Sequence, residues 1–385
     1  MRAYLDNAAT TPLDPAVFDA MVPYLRDHWG NPSSIHGWGR QVRAAVERSR
    51  KQVAELLGAA PAEIFFTSGG TEADNTALLG AVRTLGIRHV LTSAIEHHAV
   101  LHTLEHLAGQ GEIALTYATL DARGHVDLDA LEAWLAAHPG GLVSLMHGNN
   151  EVGNLLDLRA VGERCRAHGA CFHSDTVQTI GHFSFNLDQT PVDFVVGSAH
   201  KFHGPKGVGF LYVDAGRKIS PLLHGGAQER NLRGGTENVA GIVGLAKALE
   251  LAVAEQAAHR AHVEHLKERM AEGLRARIDD VRFCGDCLNP DRSLYTVLNV
   301  SLPPCEMADM FLFNLDIAGV AASGGSACSS GSNVGSHVLR ALGCDPERST
   351  VRFSFSKFNT PEEIDWTVAQ VAALYDPVGG ARLVS

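Results

Sequence analysis

Short apolar runs that stop at glycine or a polar residue recur along the first half of the chain. Glu63-Ile64-Phe65-Phe66-Thr67 is one, and Gly69-Gly70 breaks it. From Thr71 to about Thr84 the apolar residues return at helical spacing, which predicts a helix. His89-Val90-Leu91-Thr92 predicts the next strand, followed by a helix over about 99–108. Further strands are predicted at 112–118, 142–146, 170–174, 192–197 and 207–213, with a helix near 158–168. Strands alternating with helices predict an α/β protein, a mostly parallel sheet covered on both faces.

The pattern changes near Thr236. From there to Arg277 the chain is Ala-rich, charged and helical throughout, and a helix this long predicts a link between two units. Beyond it, strands are predicted at 294–300, 318–322 and 350–355, and helices near 306–316, 335–342 and 361–375. This part reads as a smaller α+β domain. The expected division is 12–255 for a large domain, and 1–11 with 256–385 for a small one. A chain of 385 residues exceeds what one small core organises.

Composition narrows the classes. The net charge of -11 gives no basic face for direct contact with nucleic acid. The opening Met1-Arg2-Ala3-Tyr4-Leu5-Asp6 lacks the apolar core of a secretion signal, and no apolar run is long enough to cross a bilayer. These features predict a cytoplasmic protein with reduced thiols and no membrane partner. The 7 cysteines are an odd, scattered set, unlike a disulfide framework. Cys284-x-x-Cys287 has no second pair to complete a zinc site and reads as incidental. No metal ligand set is expected.

Candidate chemistry gathers where predicted strands end. Asp193 to Lys201 is an apolar strand running into Ser198, His200 and Lys201. A lysine just past a buried strand end is poorly solvated, so its amine loses a proton more easily and can form a Schiff base. Cys171 to Gln178 is a strand ending in Asp175, a carboxylate placed to keep a ring nitrogen protonated, with Gln178 three residues on. Thr67-Ser68-Gly69-Gly70-Thr71-Glu72 leads into a helix N-terminus and forms an anion cradle at Gly70 and Thr71. It is not a P-loop, since no G-K-[ST] follows. Glu96-His97 and Asn149-Asn150-Glu151 follow two further strands, offering an imidazole to lie on a ring and amides to bond it. Each has a bland structural reading: Asp175 as a helix cap, Lys201 as a loop cap, His97 as a core imidazole. Their common placement, where open α/β sheets bind ligands, favours chemistry. Cys328 sits among Ser, Gly and Ala in Ser323–Ser332, unlike a structural cysteine with bulky neighbours. Arg352 offers a two-pronged contact for a carboxylate.

These motifs, with Tyr4–Pro12, Gly30–Ser34, Arg233-Gly234-Gly235-Thr236 and Val351–Ser354, resemble the cysteine desulfurases of the bacterial iron–sulfur and nitrogenase type. These are fold-type I pyridoxal-phosphate enzymes of the class V aminotransferase group. The resemblance runs over nearly the whole chain. It implies a large domain with a mostly parallel seven-stranded sheet and a smaller α+β domain. It implies pyridoxal 5'-phosphate on Lys201, with Asp175 at the ring nitrogen, Gln178 at the ring oxygen and His97 stacked on the ring. Gly70, Thr71, Ser198 and His200 would hold the phosphate, and Thr236 would reach the phosphate of the other subunit of a homodimer. Asn150 and Arg352 would hold L-cysteine, and Cys328 would take its sulfur as a persulfide. The product is L-alanine. A sulfur-acceptor protein would collect the sulfur for iron–sulfur cluster or thio-cofactor assembly, the cluster being cargo. Thr176 departs from the family's usual alanine. The chain ends soon after its last predicted helix, where members serving the general scaffold often run longer, so the acceptor is left open. The alternatives are a selenocysteine lyase or another class V aminotransferase-type enzyme. A non-catalytic binding platform would need neither Lys201 nor Cys328.

Overall fold

The computed structural model describes residues 1–305, 310–324 and 335–375. After a short strand β1 (Ala3–Tyr4), the chain forms helices α1 (Pro15–Arg26) and α2 (Gly37–Leu57). Neither helix was anticipated from the apolar pattern. Asp14 caps α1 by accepting from the Ala16 N–H at 2.8 Å, and Pro15 supplies a preset first-turn φ. Gly58 ends α2 in the left-handed conformation at φ 63°, which a side chain would resist.

Then follow β2 (Ile64–Thr67), α3 (Gly70–Thr84), β3 (His89–Thr92), α4 (His98–Gly109), β4 (Ala114–Tyr117), α5 (Leu128–Ala137) and β5 (Leu142–Ser144). Next come α6 (Leu158–Ala167), β6 (Cys171–Asp175), β7 (Phe194–Ser198) and β8 (Gly209–Val213). The seven strands β2 to β8 form one sheet in the order β2-β8-β7-β6-β5-β3-β4. Only β8 runs against its neighbours, so the sheet is mostly parallel as expected. Strands β6, β7 and β8 are buried along their whole length, which explains their unbroken apolar runs.

Helix α7 (Val239–Arg277) is 39 residues long, about 58 Å at the usual rise. Ile242, Leu245 and Leu249 on its first part pack into the core of the large sheet. Val263, Leu266, Met270 and Leu274 pack into a second core. That core is built on β9 (Arg282–Phe283), β10 (Val297–Leu302), α8 (Phe311–Ile317), β11 (Val320–Ala321), β12 (Ser349–Ser354) and α10 (Pro361–Ala373), while α9 (His337–Ala341) packs with Ile95, Val152 and Cys284 in a smaller cluster. The order β12-β10-β9 makes an antiparallel sheet. Ala3 and Leu5 join this second core, and β1 pairs with β11. Among the described residues, no helix is long and apolar enough to cross a membrane.

Candidate active site

Strands β2, β3, β5, β6 and β7 all point their C-terminal ends the same way, and each runs into one of the polar clusters. A cavity of about 230 Å³ opens there. Gly70, Thr71, His97, Asn150, Asp175, Gln178, Ser198, His200, Lys201 and Arg352 all line it. The carbonyl-bearing turn Ala8-Ala9 closes one side, and Arg352 arrives from β12 of the second sheet.

Lys201 ends a single turn of helix after β7. Its Nζ donates to the Ala8 and Ala9 carbonyls at 2.6 and 2.8 Å. Gln178 Nε2 donates to the same Ala8 carbonyl at 3.0 Å. These contacts tie the first residues of the chain to the cavity, a role the strand–helix pattern did not show. Asp175 is buried at the end of β6, and its Oδ1 accepts from the Val177 N–H at 2.9 Å. Burial pushes its carboxyl up to about 6, against the lowering pulls of that N–H and of Lys201.

His97 caps α4, its Nδ1 accepting from the Ala99 N–H at 3.2 Å. Burial, helped by Lys201, His337 and His102, pulls its pKa down to about 4, so the imidazole is neutral at neutral pH. His200 is also held at about 4, by burial and then by Lys201 and Lys206, and its Nδ1 lies 3.1 Å from Thr10 Oγ1. Arg352 is 1% exposed. Its Nη1 donates to the Asn150 carbonyl and its Nη2 to Asp6 Oδ1, both at 2.8 Å, while its Nε has no partner among the described residues.

Space at position 70 is tight. A Cβ there would come within 2.8 Å of Val177 Cγ2. Helix α3 begins with its first-turn N–H groups at the cavity wall, beside Ser198 and His200. An amine, a buried carboxylate, a neutral imidazole and an anion cradle thus share one cavity. This set fits a cofactor that carries an aldehyde, a basic ring nitrogen and a phosphate.

Thr236 lies elsewhere, exposed at a second hollow shared with Ser68, Glu229 and Arg233. Cys328 lies outside the described residues. Asp74 was missed: it is 1% exposed and lines the cavity from α3. Its signal was legible, since it follows Gly70 by four residues on the Ala-rich buried stripe of that helix. Asp6, which orients Arg352, carried no signal of its own.

Comparison with known proteins places this arrangement. The model of the family described as aminotransferase class-V matches residues 3–366. The chain is 43% identical over 371 residues to "Cysteine desulfurase IscS" of Dictyoglomus turgidum, covering 95% of this chain and 93% of that protein. It is 44% identical to "Cysteine desulfurase IscS" of Methanosarcina thermophila, covering 94% and 89%. Among solved structures it resembles "NIFS-LIKE PROTEIN", with a TM-score of 0.90 and 38% identity over 97% of this chain and 99% of the other. It also resembles "SspA in complex with cysteine", with a TM-score of 0.80 and 32% identity over 93% and 100%.

Proposed function

The chain belongs to the aminotransferase class-V family, among its cysteine desulfurases, and we propose that it converts L-cysteine to L-alanine and passes the sulfur to Cys328 as a persulfide. The observation that carries this reading is the meeting of Lys201, Asp175, His97 and Arg352 on one cavity. Bound pyridoxal 5'-phosphate supplies an electron sink that makes the substrate's sulfur open to attack by a thiolate.

The chain's own residues do the rest. Lys201 Nζ would hold the cofactor through its aldehyde and would carry the proton at the substrate Cα. Asp175 would keep the ring nitrogen protonated, and Gln178 would donate to the ring oxygen. His97, neutral, would hold the face of the ring. Gly70, Thr71, Ser198 and His200 would hold the phosphate. Arg352 binds the substrate carboxylate, with Asp6 and the Asn150 carbonyl fixing the plane of its fork. Asn150 contributes its amide to the ring and substrate. The proposed site residues hold no metal.

Two further readings belong to this proposal. The division into 12–255 and 1–11 with 256–385 is supported by the two hydrophobic cores that share α7. A homodimer is supported by the exposed apolar residues Trp29, Ile35 and Trp38, exposed at 70, 90 and 60%, and by the placement of Thr236 away from its own cavity. The protein acts in the cytoplasm, where an acceptor protein collects the sulfur.

The test incubates the protein with L-cysteine, pyridoxal phosphate and a reductant, and measures alanine and sulfide for the native chain and for Cys328→Ala. Equal amounts of both, lost in the variant, are expected. No turnover from a yellow, cofactor-loaded native protein would overturn the reading.

A further inference from the structure

Cys284 and Cys287 stand out together in the sequence, and the fold gives Cys284 a second thiol neighbour. Cys287 turns into the core of the second sheet, where its Sγ donates to the Asn299 carbonyl at 3.7 Å. Cys284, the residue after β9, belongs to a separate cluster with Val152, Val338 and Leu339, and Cys344 packs against that cluster. The Cys284 and Cys344 thiols are neighbours there, and each shifts the ionisation of the other. Both sit in a surface hollow of about 620 Å³, with Cys284 buried and Cys344 partly exposed. Their backbones are fixed: the Cys284 N–H donates to the Asn299 carbonyl at 3.1 Å and the Cys344 N–H to the Leu339 carbonyl at 2.9 Å. The Cys284 thiol beside it lowers the pKa of Cys344, favouring its thiolate, while that of Cys284 is raised.

We propose that Cys284 and Cys344 form a redox-active dithiol, a modification site for peroxides separate from the substrate cavity. In the first step the Cys344 thiolate attacks the peroxide O–O bond. The sulfur takes one oxygen to become a sulfenic acid, and the other oxygen leaves and takes a proton. In the second, the Cys284 sulfur attacks the sulfenic sulfur. The S–O bond breaks, an S–S bond forms, and the hydroxyl leaves with the Cys284 proton as water. Two thiols lose two electrons and the peroxide gains them. A reducing dithiol reverses the change. The order of attack follows the structure, because Cys344 is the more exposed and the more acidic of the two.

The bond would join two supports of one loop. On one side, Asn299 Nδ2 donates to the Glu151 carbonyl at 3.1 Å, and the Asn299 carbonyl accepts from Cys284. On the other, Ser336, which caps α9, donates to the Glu151 carboxylate, and Cys344 follows that helix. Glu151 adjoins Asn150, whose carbonyl holds Arg352.

The test treats the native full-length protein with hydrogen peroxide, blocks remaining thiols with an alkylating agent, and identifies tryptic peptides by mass spectrometry. Residues 283–292 carry Cys284 and Cys287, and residues 341–348 carry Cys344. The expected result is a linked pair of these peptides that appears with peroxide and disappears with dithiothreitol. It should persist in Cys287→Ser and be lost in Cys344→Ser. A bond within 283–292 that leaves Cys344 open to alkylation would overturn the proposal. So would Cys284 and Cys344 both remaining open to alkylation at a peroxide dose that oxidises Cys305, the other partly exposed thiol among the described residues.

Discussion

Two groups of buried charges lie within the same large-sheet unit and are treated in opposite ways. Behind β2, Arg50 and Glu229 are each nearly inaccessible and fully partnered. Arg50 Nη1 and Nη2 bond the two Glu229 oxygens at 2.7 and 2.8 Å, and Nη1 also bonds the Ile64 carbonyl. Glu229 accepts in addition from the Phe66 N–H at 2.7 Å. Beneath the cavity, Asp74, Glu96 and Asp175 are buried as deeply, but they are three acids with shared repulsion. His173 Nε2 lies 3.3 Å from Asp74 Oδ1, yet neither atom makes a hydrogen bond among the described residues. Burial pushes the Asp74 carboxyl well up and Glu96 up to about 8. A buried pair that serves only the fold is saturated; groups left short of partners and shifted in pKa mark a site where charge is handled.

The largest effect that would break this contrast is at Lys201. Lys201→Ala should lower desulfurase turnover by about 10²–10⁴-fold or more, the range for losing a positioned proton-transfer group. It should also remove the yellow colour of the cofactor-loaded protein. Thermal stability of the cofactor-free protein should change little, since the Ala8 and Ala9 carbonyls that Nζ meets lie at a cavity edge. A cofactor-free variant that unfolds much earlier than the native chain would show that Lys201 serves the fold as Arg50 does.

Arg50→Ala is the reverse case. It leaves Glu229 buried and unpaired, a loss of about 3–5 kcal/mol in unfolding free energy. Denaturant unfolding of the variant and the native chain measures this. Turnover per folded, cofactor-loaded molecule should stay near native, because Arg50 does not line the cavity. The three residues Glu229, Arg230 and Asn231 all have positive φ, and the Arg50 pair holds the first of them in place. A variant that is stable but inactive would sink the separation of the two groups.

Sequence pattern revealed one of these groups far better than the other. The cavity residues were legible because parallel strands bury both faces: an apolar run that stops abruptly at Asp175 or Lys201 marks a strand end. The sheet, the long helix α7 and the second unit followed from the same periodicities. The Arg50–Glu229 pair was not legible, because its members lie 179 residues apart and each reads as an ordinary charged residue. The same holds for Asp6 with Arg352, 346 residues apart. Helices α1 and α2 escaped because α1 mixes apolar and polar residues over barely three turns and α2 is rich in charge and in Ala, Gly and Ser. Cys284 and Cys287 read as incidental from their spacing, and the packing of Cys344 against the Cys284 cluster, 60 residues along the chain, carried no sequence signal.

Glu96 offers the finest test of the contrast, because its cost is a matter of pH. It is 1% exposed. One oxygen accepts from Ser93 Oγ at 2.7 Å and from the Met146 N–H at 3.1 Å, and the other has no partner among the described residues. With a folded pKa of about 8 against 4.5 unfolded, the folded chain keeps a proton that the unfolded chain releases between those values. Stability linked to this group is therefore fully present below pH 4.5 and falls as pH rises toward 8. Glu96→Gln keeps an acceptor oxygen for Ser93 and Met146 and cannot titrate. Its stability relative to the native chain should be near zero or slightly negative at pH 5. It should rise to a gain of about 1 kcal/mol or more at pH 8, read from denaturant midpoints at both values. A difference that does not change with pH would mean that Glu96 is charged and compensated in the fold, as Glu229 is. Asp175 should not follow the same rule when cofactor is bound. Asp175 lines the cavity, and a cationic ring nitrogen bound there would favour its charged form, so the cofactor would remove a cost that Glu96 keeps.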